Sequence, residues 1–331
     1  MVFIHHYNPF VSWGDSVYNF FSEFYVGVNF FFVLSGFLIA HRYYDRNVSF
    51  KVYFIRRFAR VYPMFFILTS LTFLLIAVQS AEIQEVLGVY TVNILFLKGL
   101  FKDLLFSGVP QAWTLTVEEM FYFSAPLIFI LIKKGGWKVL VFLPVGLLII
   151  GCALVALSSG FDWFGFFHDY RFMLIYTFFG RSTEFIVGVV LALIYRKYQY
   201  QSNRMYFTIG GVIGIVLSIG LMSLQRGNNL YGLESLPGLL INSLLLPCFI
   251  AVFYWGLITE QTLMNKILRS PVFSVLGRSS YTFYLIHLGF IAAFIDQHVN
   301  ALILFILLNI TAIGLYFFVE RVLNTKIRQW A

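Results

Sequence analysis

Long apolar runs constrain the fold of this chain more than any other feature of its sequence. Each run is about 20 residues long, and a helix of that length crosses a hydrocarbon core of about 30 Å. Hydrophobic residues make up 60% of the chain and charged residues only 11%, against roughly 25% charged residues in soluble proteins. A transmembrane barrel would show alternation over shorter segments, which is absent from the sequence. We therefore predict an all-α polytopic membrane protein.

The apolar runs predict about ten transmembrane helices, the first of which, at Met1 to Phe10, is truncated. The other predicted spans are 24–41, 60–78, 118–132, 139–157, 172–195, 206–224, 239–258, 279–295 and 301–319. Residues 86–100 are apolar but short, and a full crossing there would place Lys133 and Lys134 on the outer side. We therefore expect a re-entrant or interfacial segment at 86–100. The whole chain, 1–331, is predicted to be one membrane domain without a soluble domain.

Basic residues determine the predicted orientation of the chain. The net charge of +8 resides mainly in short connecting segments, which the positive-inside rule places in the cytoplasm. On this basis the C-terminal segment, Arg321 to Ala331, is expected to be cytoplasmic. The basic loops indicate contact with anionic headgroups rather than with nucleic acid. Cys152 and Cys248 lie inside apolar runs, so neither a disulfide framework nor a cysteine metal site is expected.

Histidine and arginine side chains in or beside the predicted spans are functional candidates, because such groups need a partner or a water-filled cavity. His6 lies in the truncated first segment. Its imidazole could act as a general base on a hydroxyl group, or it could be an interfacial histidine. Arg56, Arg57 and Arg60 lie where a span begins, and spacings of three and four place Arg60 on the same helix face as the other two. Their convergence predicts an anion, either a phosphorylated cofactor or a lipid headgroup.

Two further sets of polar residues fall in the middle of predicted spans. Arg181 and Glu184 are three residues apart and can pair on one helix face, either as a structural ion pair or as the lining of a polar cavity. Tyr281 and His287 belong to a polar stripe in the predicted span 279–295. Hydrogen bonding between helices would explain that stripe without a catalytic role.

The stretch from Trp113 to Tyr122 places two carboxylates at the start of a predicted span. Thr116 and Glu119 have the spacing of a capping box, which would explain Glu119 but not Glu118. Tryptophan is common at membrane interfaces, so Trp113 alone indicates little. Glu118 could orient an imidazole or share its proton.

Five stretches of the chain, taken together and in order, resemble the bacterial acyltransferase-3 family of integral-membrane enzymes. They are GVNFFFVLSGF at 27–37, RRFARVYP at 56–63, WTLTVEEMFY at 113–122, RSTEFIVG at 181–188 and LGRSSYTFYLIH at 276–287. The resemblance covers nearly the whole chain. Members of this family O-acylate carbohydrates of the cell surface.

The resemblance implies an enzyme that transfers an acyl group, expected to be acetyl, from acyl-CoA to a carbohydrate hydroxyl. The acceptor would be a surface or exported polysaccharide, or its lipid-linked precursor. The implied location is the bacterial inner membrane, where lipid is a partner and nucleic acid is not. Acyl-CoA would be a co-substrate, and neither a permanently bound cofactor nor a metal ion is expected.

The resemblance also implies roles for individual residues. His6 would remove the proton of the acceptor or assist a covalent step. Glu118 would orient the imidazole or relay its proton. The phosphates of the donor would be held by Arg57 and Arg60, together with Arg56. The family pattern of tryptophan, four residues and glutamate matches Trp113 and Glu118. The supporting residues would be Trp113, Arg181, Glu184, Tyr281 and His287.

The sequence departs from the family pattern near its first residue. The family carries an arginine about ten residues before its histidine, whereas five residues precede His6 here. An inactive, truncated family member is therefore one alternative. Another is a proton-coupled transporter or exporter in which Arg181, Glu184 and His287 form a path. The sequence shows no inverted repeat, and it does contain the arginine cluster. Both observations count against transport.

Overall fold

The computed structural model describes residues 1–46, 48–161, 163–198, 200–297 and 299–330. Within these residues the secondary structure is helical, and pairing between extended segments is limited to isolated bridges. The α-helices, numbered in chain order, are α1 Val2–His6, α2 Asp15–Ser22, α3 Gly27–Tyr43, α4 Phe50–Gln79, α5 Ile83–Ile94, α6 Trp113–Gly135, α7 Trp137–Ser158, α8 Tyr170–Tyr176, α9 Phe178–Lys197, α10 Tyr206–Leu224, α11 Leu236–Leu240, α12 Leu246–Thr259, α13 Leu263–Leu268, α14 Pro271–Ile286, α15 Phe290–Asp296, α16 Ala301–Leu315 and α17 Arg321–Arg328. Short 3-10 turns lie at Val11–Trp13, Glu23–Val26, Lys98–Leu100, Pro110–Ala112 and Gly232–Glu234, and π-helical turns at Ile241–Leu245 and Tyr316–Glu320.

Helical stretches long and apolar enough to cross a membrane confirm the predicted fold class, an all-α polytopic membrane protein. Among the described residues there are eight: Asp15–Tyr43, Phe50–Gln79, Pro110–Gly135, Trp137–Ser158, Tyr170–Lys197, Tyr206–Leu224, Leu236–Thr259 and Ala301–Arg328. Their length and composition identify a multi-pass membrane protein.

Two of the ten predicted spans are shorter or more irregular than expected. Met1 to Phe10 contains only the five-residue helix α1. The predicted span 279–295 is divided between α14 and α15, which are separated by three non-helical residues ending at Gly289. Gly289 has a φ of 91°, which an α-helix cannot accommodate and which glycine tolerates best. The helix therefore ends before the middle of the predicted span.

The predicted short segment at 86–100 corresponds to α5 and the turn that follows it. α5 has 12 residues, about 18 Å at 1.5 Å per residue. That length is well short of the hydrocarbon core. The structure thus agrees with the prediction that this segment does not cross as a complete helix.

The chain divides into two compact units, each assembled from three separate stretches. Unit 1 comprises Met1–Arg46, Leu127–Ile149 and Phe179–Ser270. Unit 2 comprises Asn47–Pro126, Ile150–Phe178 and Pro271–Ala331. The predicted single domain, 1–331, remains a prediction.

In unit 1, helices α3 and α9 pack backbone against backbone. A Cβ at Gly36 would overlap the carbonyl oxygen of Phe185, and a Cβ at Gly188 would overlap that of Val33. Small residues permit such an approach between membrane helices. The contact fixes the side chains of α3 and α9 relative to one another.

In unit 2, tyrosine hydroxyls connect α4 to its neighbours. Tyr53 on α4 donates a hydrogen bond to the carbonyl oxygen of Tyr122 on α6 at 2.9 Å. Tyr281 on α14 donates to the carbonyl oxygen of Val61 on α4 at 2.8 Å. Val61 lies just before Pro63, which cannot donate a backbone hydrogen bond inside the helix. α4 therefore holds α6 and α14 through two contacts that both precede its proline.

We expect Gly188→Ala to destabilise the protein by about 1–3 kcal/mol, because the added methyl group overpacks the contact between α3 and α9. Gly220→Ala on α10 is the matched control, since nothing lies within 4 Å of its Cβ position. Thermal unfolding of the purified protein in detergent measures both. Equal melting temperatures for the two variants would contradict the backbone contact.

Candidate active site

Glu118 and Tyr122 lie one turn apart on α6, and their side chains are hydrogen-bonded. The Tyr122 hydroxyl donates to Oε1 of Glu118. A spacing of four residues places both side chains on one face of the helix. Because the backbone of Tyr122 is also bound by Tyr53, this face of α6 is fixed against α4. The carboxylate of Glu118 therefore has a defined orientation.

Arg57 on α4 brings a positive charge to the same tyrosine. Its guanidinium carbon lies 5.7 Å from the centre of the Tyr122 ring, within the range of a cation–π interaction. We refer to Glu118, Tyr122 and Arg57 as the unit 2 triad. It combines a carboxylate suited to proton transfer with a guanidinium group suited to phosphate.

Arg60, one turn further along α4, is paired within unit 2. Its Nη1 donates to Oε1 of Glu320 at 3.2 Å. Glu320 is almost fully buried, with 2% exposure, while the Arg60 side chain is 37% exposed. The Thr282 hydroxyl donates to the other carboxylate oxygen of Glu320 at 2.6 Å. The sequence predicted that Arg60 would help to bind an external anion. Its charge is instead balanced in part by a carboxylate of this chain.

The first arginine of the predicted cluster and the polar stripe on α14 have different surroundings. Arg56 is half-buried on α4. Tyr281, next to Thr282, is the residue that donates to the Val61 carbonyl. Tyr281 and Thr282 therefore have structural partners on α4 and in the π-helical turn Tyr316–Glu320.

The predicted capping box at Thr116 and Glu119 is wrong. α6 begins at Trp113, after the turn Pro110–Ala112, so Thr116 lies inside the helix rather than at its N-cap. The Thr116 hydroxyl instead accepts a hydrogen bond from the backbone N–H of Gly99 at 3.1 Å. Oε1 of Glu119 is buried and has no hydrogen-bond partner among the described residues. Trp113 packs edge-on against the Tyr176 ring, with 5.0 Å between ring centres.

A buried lysine holds the loop that leads into α6. Lys98 is 1% exposed. Its Nζ donates to the carbonyl oxygens of Ser107 at 2.8 Å and of Val109 at 2.5 Å. Burial lowers the pKa of Lys98 to about 7. Together with the bond from Gly99 to Thr116, Lys98 positions the start of α6 and hence Trp113 and Glu118.

His287 lies in the break between α14 and α15, not in the middle of a continuous helix as predicted. Its Nδ1 is 2.7 Å from the carbonyl oxygen of Tyr284. The side-chain amide of Gln111 donates to the carbonyl oxygens of Tyr284, at 2.8 Å, and Leu285, at 2.7 Å. These contacts satisfy carbonyl groups that the end of α14 leaves without helical partners. The break is thereby joined to the turn that precedes Trp113.

In unit 1, the two adjacent histidines of α1 differ in their surroundings. Nδ1 of His5 is 2.6 Å from the carbonyl oxygen of Ser22. The His5 ring also lies 5.6 Å from the Tyr25 ring and 5.2 Å from the Tyr231 ring. His6 is exposed and meets the His5 ring edge-on, with 4.6 Å between ring centres. The two histidines therefore differ in exposure, and His5 is the more enclosed of the two.

Arg181 and Glu184 form the predicted ion pair, and Asn29 on α3 completes it. Nε of Arg181 lies 2.6 Å from Oε1 of Glu184, and both side chains are buried. Asn29 accepts from Arg181 and donates to Glu184, each at 3.2 Å. Its amide also donates to the carbonyl oxygen of Asn242, in the π-helical turn Ile241–Leu245, at 2.9 Å. The α3–α9 contact thus contains a closed polar network.

Unit 2 contains most of the predicted site residues: Trp113, Glu118, Arg56, Arg57, Arg60, Tyr281 and His287. Unit 1 contains His6, Arg181 and Glu184. Sequence reasoning missed Tyr122, Glu320 and Asn29 as partners of these residues. The spacing of four from Glu118 was a signal for Tyr122, and a carboxylate at the end of an apolar run was a signal for Glu320.

Guanidinium groups on α4 are the side chains of this site that could hold an anion. No cluster of three or more histidine, cysteine, aspartate or glutamate side chains with metal-binding geometry occurs in the described part of the chain. The guanidinium groups of α4 can donate forked hydrogen bonds to phosphate oxygens.

Lys98 predicts a pH dependence of stability. Its pKa of about 7 in the folded protein lies below the usual lysine value near 10.4, so the unfolded state binds more protons between these values. Stability should therefore rise as the pH rises above 7, by at most about 2 kcal/mol between about pH 6.5 and 8.5. Thermal unfolding of the wild type and Lys98→Met at both pH values measures this contribution. The same pH dependence in both proteins would contradict it.

Comparison with known proteins supports a common family. A family model described as an acyltransferase domain, that of the acyltransferase-3 family, matches residues 1–320. A provisionally named O-acetyltransferase of Staphylococcus aureus is 25% identical over 324 residues, covering 87% of this chain and 50% of the relative. A provisionally named acetyltransferase of Acidianus two-tailed virus is 24% identical over 265 residues, covering 80% of this chain and 72% of the relative.

An uncharacterised protein of Haemophilus influenzae is 25% identical over 255 residues, which cover 72% of this chain and 98% of the relative. No solved structure matches the chain. The chain spans about half the length of the staphylococcal relatives that it matches. Because the family model covers nearly all of its residues, the chain belongs to the acyltransferase-3 family.

Proposed function

We propose that this protein is a membrane O-acyltransferase. It transfers an acyl group from acyl-CoA to a hydroxyl of a surface or exported polysaccharide or its lipid-linked precursor. The acyl group that we propose is acetyl. The observation that carries this proposal is the family match over residues 1–320. The names of two relatives and the unit 2 triad support it.

The proposed reaction is attack of the acceptor oxygen on the thioester carbonyl carbon. A C–O bond forms, the C–S bond breaks, and the hydroxyl proton passes through a protein base to the departing CoA thiolate. His6 is the proposed base because its exposed imidazole can reach a hydroxyl group. Nδ1 of His5 is occupied by the Ser22 carbonyl. Glu118 is the carboxylate proposed to take part in proton transfer.

Arg57, with Arg56 and Arg60, is the proposed contact for phosphates of the donor. Of the three, Arg57 belongs to the unit 2 triad, while Arg60 shares its charge with Glu320. The proposed location is a bacterial inner membrane with the basic loops and the C-terminal segment in the cytoplasm, where acyl-CoA is available. The acceptor would come from the membrane or its outer side.

We expect His6→Gln to lower acetyl transfer by at least about 100-fold, since it removes the base. The control is His5→Asn, because the Asn amide can replace Nδ1 as the donor to the Ser22 carbonyl. Release of CoA from acetyl-CoA, measured with membranes containing the acceptor, compares the two. If His5→Asn abolished transfer while His6→Gln did not, the role of His6 would be wrong.

A second series tests the unit 2 triad. Glu118→Gln should lower transfer by roughly 100-fold if the carboxylate handles a proton. Tyr122→Phe keeps the ring beneath Arg57 but removes one hydrogen bond to Glu118, so a loss of about tenfold is expected. Tyr90→Phe, which removes a hydroxyl bonded to Ser70, is the matched control. Full activity in Glu118→Gln would exclude its proposed role.

Three measurements separate the proposed function from the two alternatives. Mass spectrometry of surface glycans, with and without the gene, should show the loss of one acyl mass. Flux of a substrate that persists without an acyl donor would indicate a transporter. Correctly folded protein without any acyl-CoA consumption would indicate an inactive family member.

A further inference from the structure

An elongated basic groove lies in unit 1 at one end of α3, α9 and α12. It consists of two cavities of about 680 Å³ and 300 Å³. Gln201 and Ile258 line both cavities, so the two are adjacent and share a wall. The larger cavity alone has the size of a typical small-molecule site.

The wall shared by the two cavities is fixed by backbone hydrogen bonds. The N–H of Ser202 donates to the carbonyl oxygen of Thr259, and the N–H of Gln261 donates to that of Ser202, both at 3.0 Å. The carboxylate of Glu260 accepts from the N–H groups of Phe207 and Thr208, at 2.8 and 2.9 Å. The segment carrying Gln201 is thus held against the end of α12. Both carboxylate oxygens of Glu260 accept hydrogen bonds from this chain.

Positive charge follows the groove along its length. Arg46 and Arg196 line the larger cavity, and Lys266 and Arg269 line the smaller one. Arg196 pairs with Asp45, so the ion pair offsets its charge. Three further cationic side chains, Arg46, Lys266 and Arg269, line the two cavities, against one other carboxylate, that of Glu260. This excess of cations suits a ligand with more than one phosphate group.

Aromatic rings form one wall of the larger cavity. The Tyr195 ring lies 5.7 Å from the His41 ring, and both residues line the cavity. Trp255 and Phe37 support Tyr195 edge-on at 6.3 and 6.1 Å. Tyr200 is a further lining residue. A planar base can stack on such rings beside cations that hold its phosphates.

We propose that this groove binds the nucleotide end of the acyl donor, a purine nucleotide carrying several phosphates, with the base against Tyr195 and the phosphates on Arg46, Lys266 and Arg269. The inference rests on the proposed function for the identity of the donor. The groove offers cations for these phosphates that are separate from the arginines of α4, and the variants below test the groove cations alone.

Binding to the full-length protein in phosphatidylcholine nanodiscs tests the groove. The probes are CoA, ADP, pantetheine and inorganic phosphate. The variants are Arg46→Gln and Arg269→Gln, with Arg204→Gln as the matched control because Arg204 bonds to Tyr206 and lines neither cavity. We expect CoA and ADP to bind, and each groove variant to weaken both by about tenfold or more. The control should bind as the wild type does, and pantetheine should bind far more weakly than CoA.

Several outcomes would overturn the inference. One is unchanged CoA binding in both groove variants. A second is binding of inorganic phosphate as tight as that of CoA, which would indicate a simple anion site. A third is binding of phosphatidylglycerol, added to the nanodiscs, that depends on the groove arginines while ADP does not bind. That result would indicate a lipid headgroup site.

Kinetics separate failure of this inference from failure of the proposed function. If both hold, the groove variants should raise KM for acetyl-CoA about tenfold and leave kcat unchanged. Acetyl transfer with unchanged KM in both variants would overturn the groove while the transferase proposal stands. Arginine-dependent binding of CoA and ADP without any acetyl transfer would support the groove and overturn the proposed function.

Discussion

A charged side chain among apolar helices is costly unless another polar group meets it, and two buried carboxylates of this chain follow that constraint. Glu320 is met by Arg60 and Thr282. Glu184 is met by Arg181 and Asn29. Each set joins segments that are far apart in sequence, so the helices that supply the partners must pack together. The apolar surface allows many arrangements of helices, and these polar partners select among them.

The backbone departs from regular α-helix geometry at some of the places where such polar groups occur. The π-helical turns Ile241–Leu245 and Tyr316–Glu320 carry a carbonyl partner of Asn29 and the carboxylate that binds Arg60. The chain also leaves the helix at His287, where Gln111 binds the exposed carbonyl groups. Irregular backbone inside a membrane protein is tolerated where other protein groups satisfy it. One of these irregular segments therefore supplies the buried partner of Arg60, and another is joined to the turn that precedes Trp113.

The sequence predicted what depends on composition and on neighbours within one turn. The apolar runs predicted the fold class, and the spacing of three predicted the pair of Arg181 and Glu184. It could not predict the start of α6, because that depends on the contact between Gly99 and Thr116 across a loop. Nor could it predict a partner for Arg60 that lies 260 residues away. The break after α14 was missed because an apolar run indicates only how long a span could be. The positive φ of Gly289, which interrupts the helix, leaves no mark in that pattern.

The backbone contact between α3 and α9 has a consequence at the far ends of these helices. A Cβ at Gly36 or at Gly188 would overlap the backbone of the other helix, so α3 and α9 pack closely, and the ring of His41 on α3 lies 5.7 Å from the ring of Tyr195 on α9. A ligand that enters between them meets a preorganised surface, and little conformational entropy is lost in shaping it. Selectivity at that end of the molecule would then come from rigid shape rather than from adaptation to whatever binds.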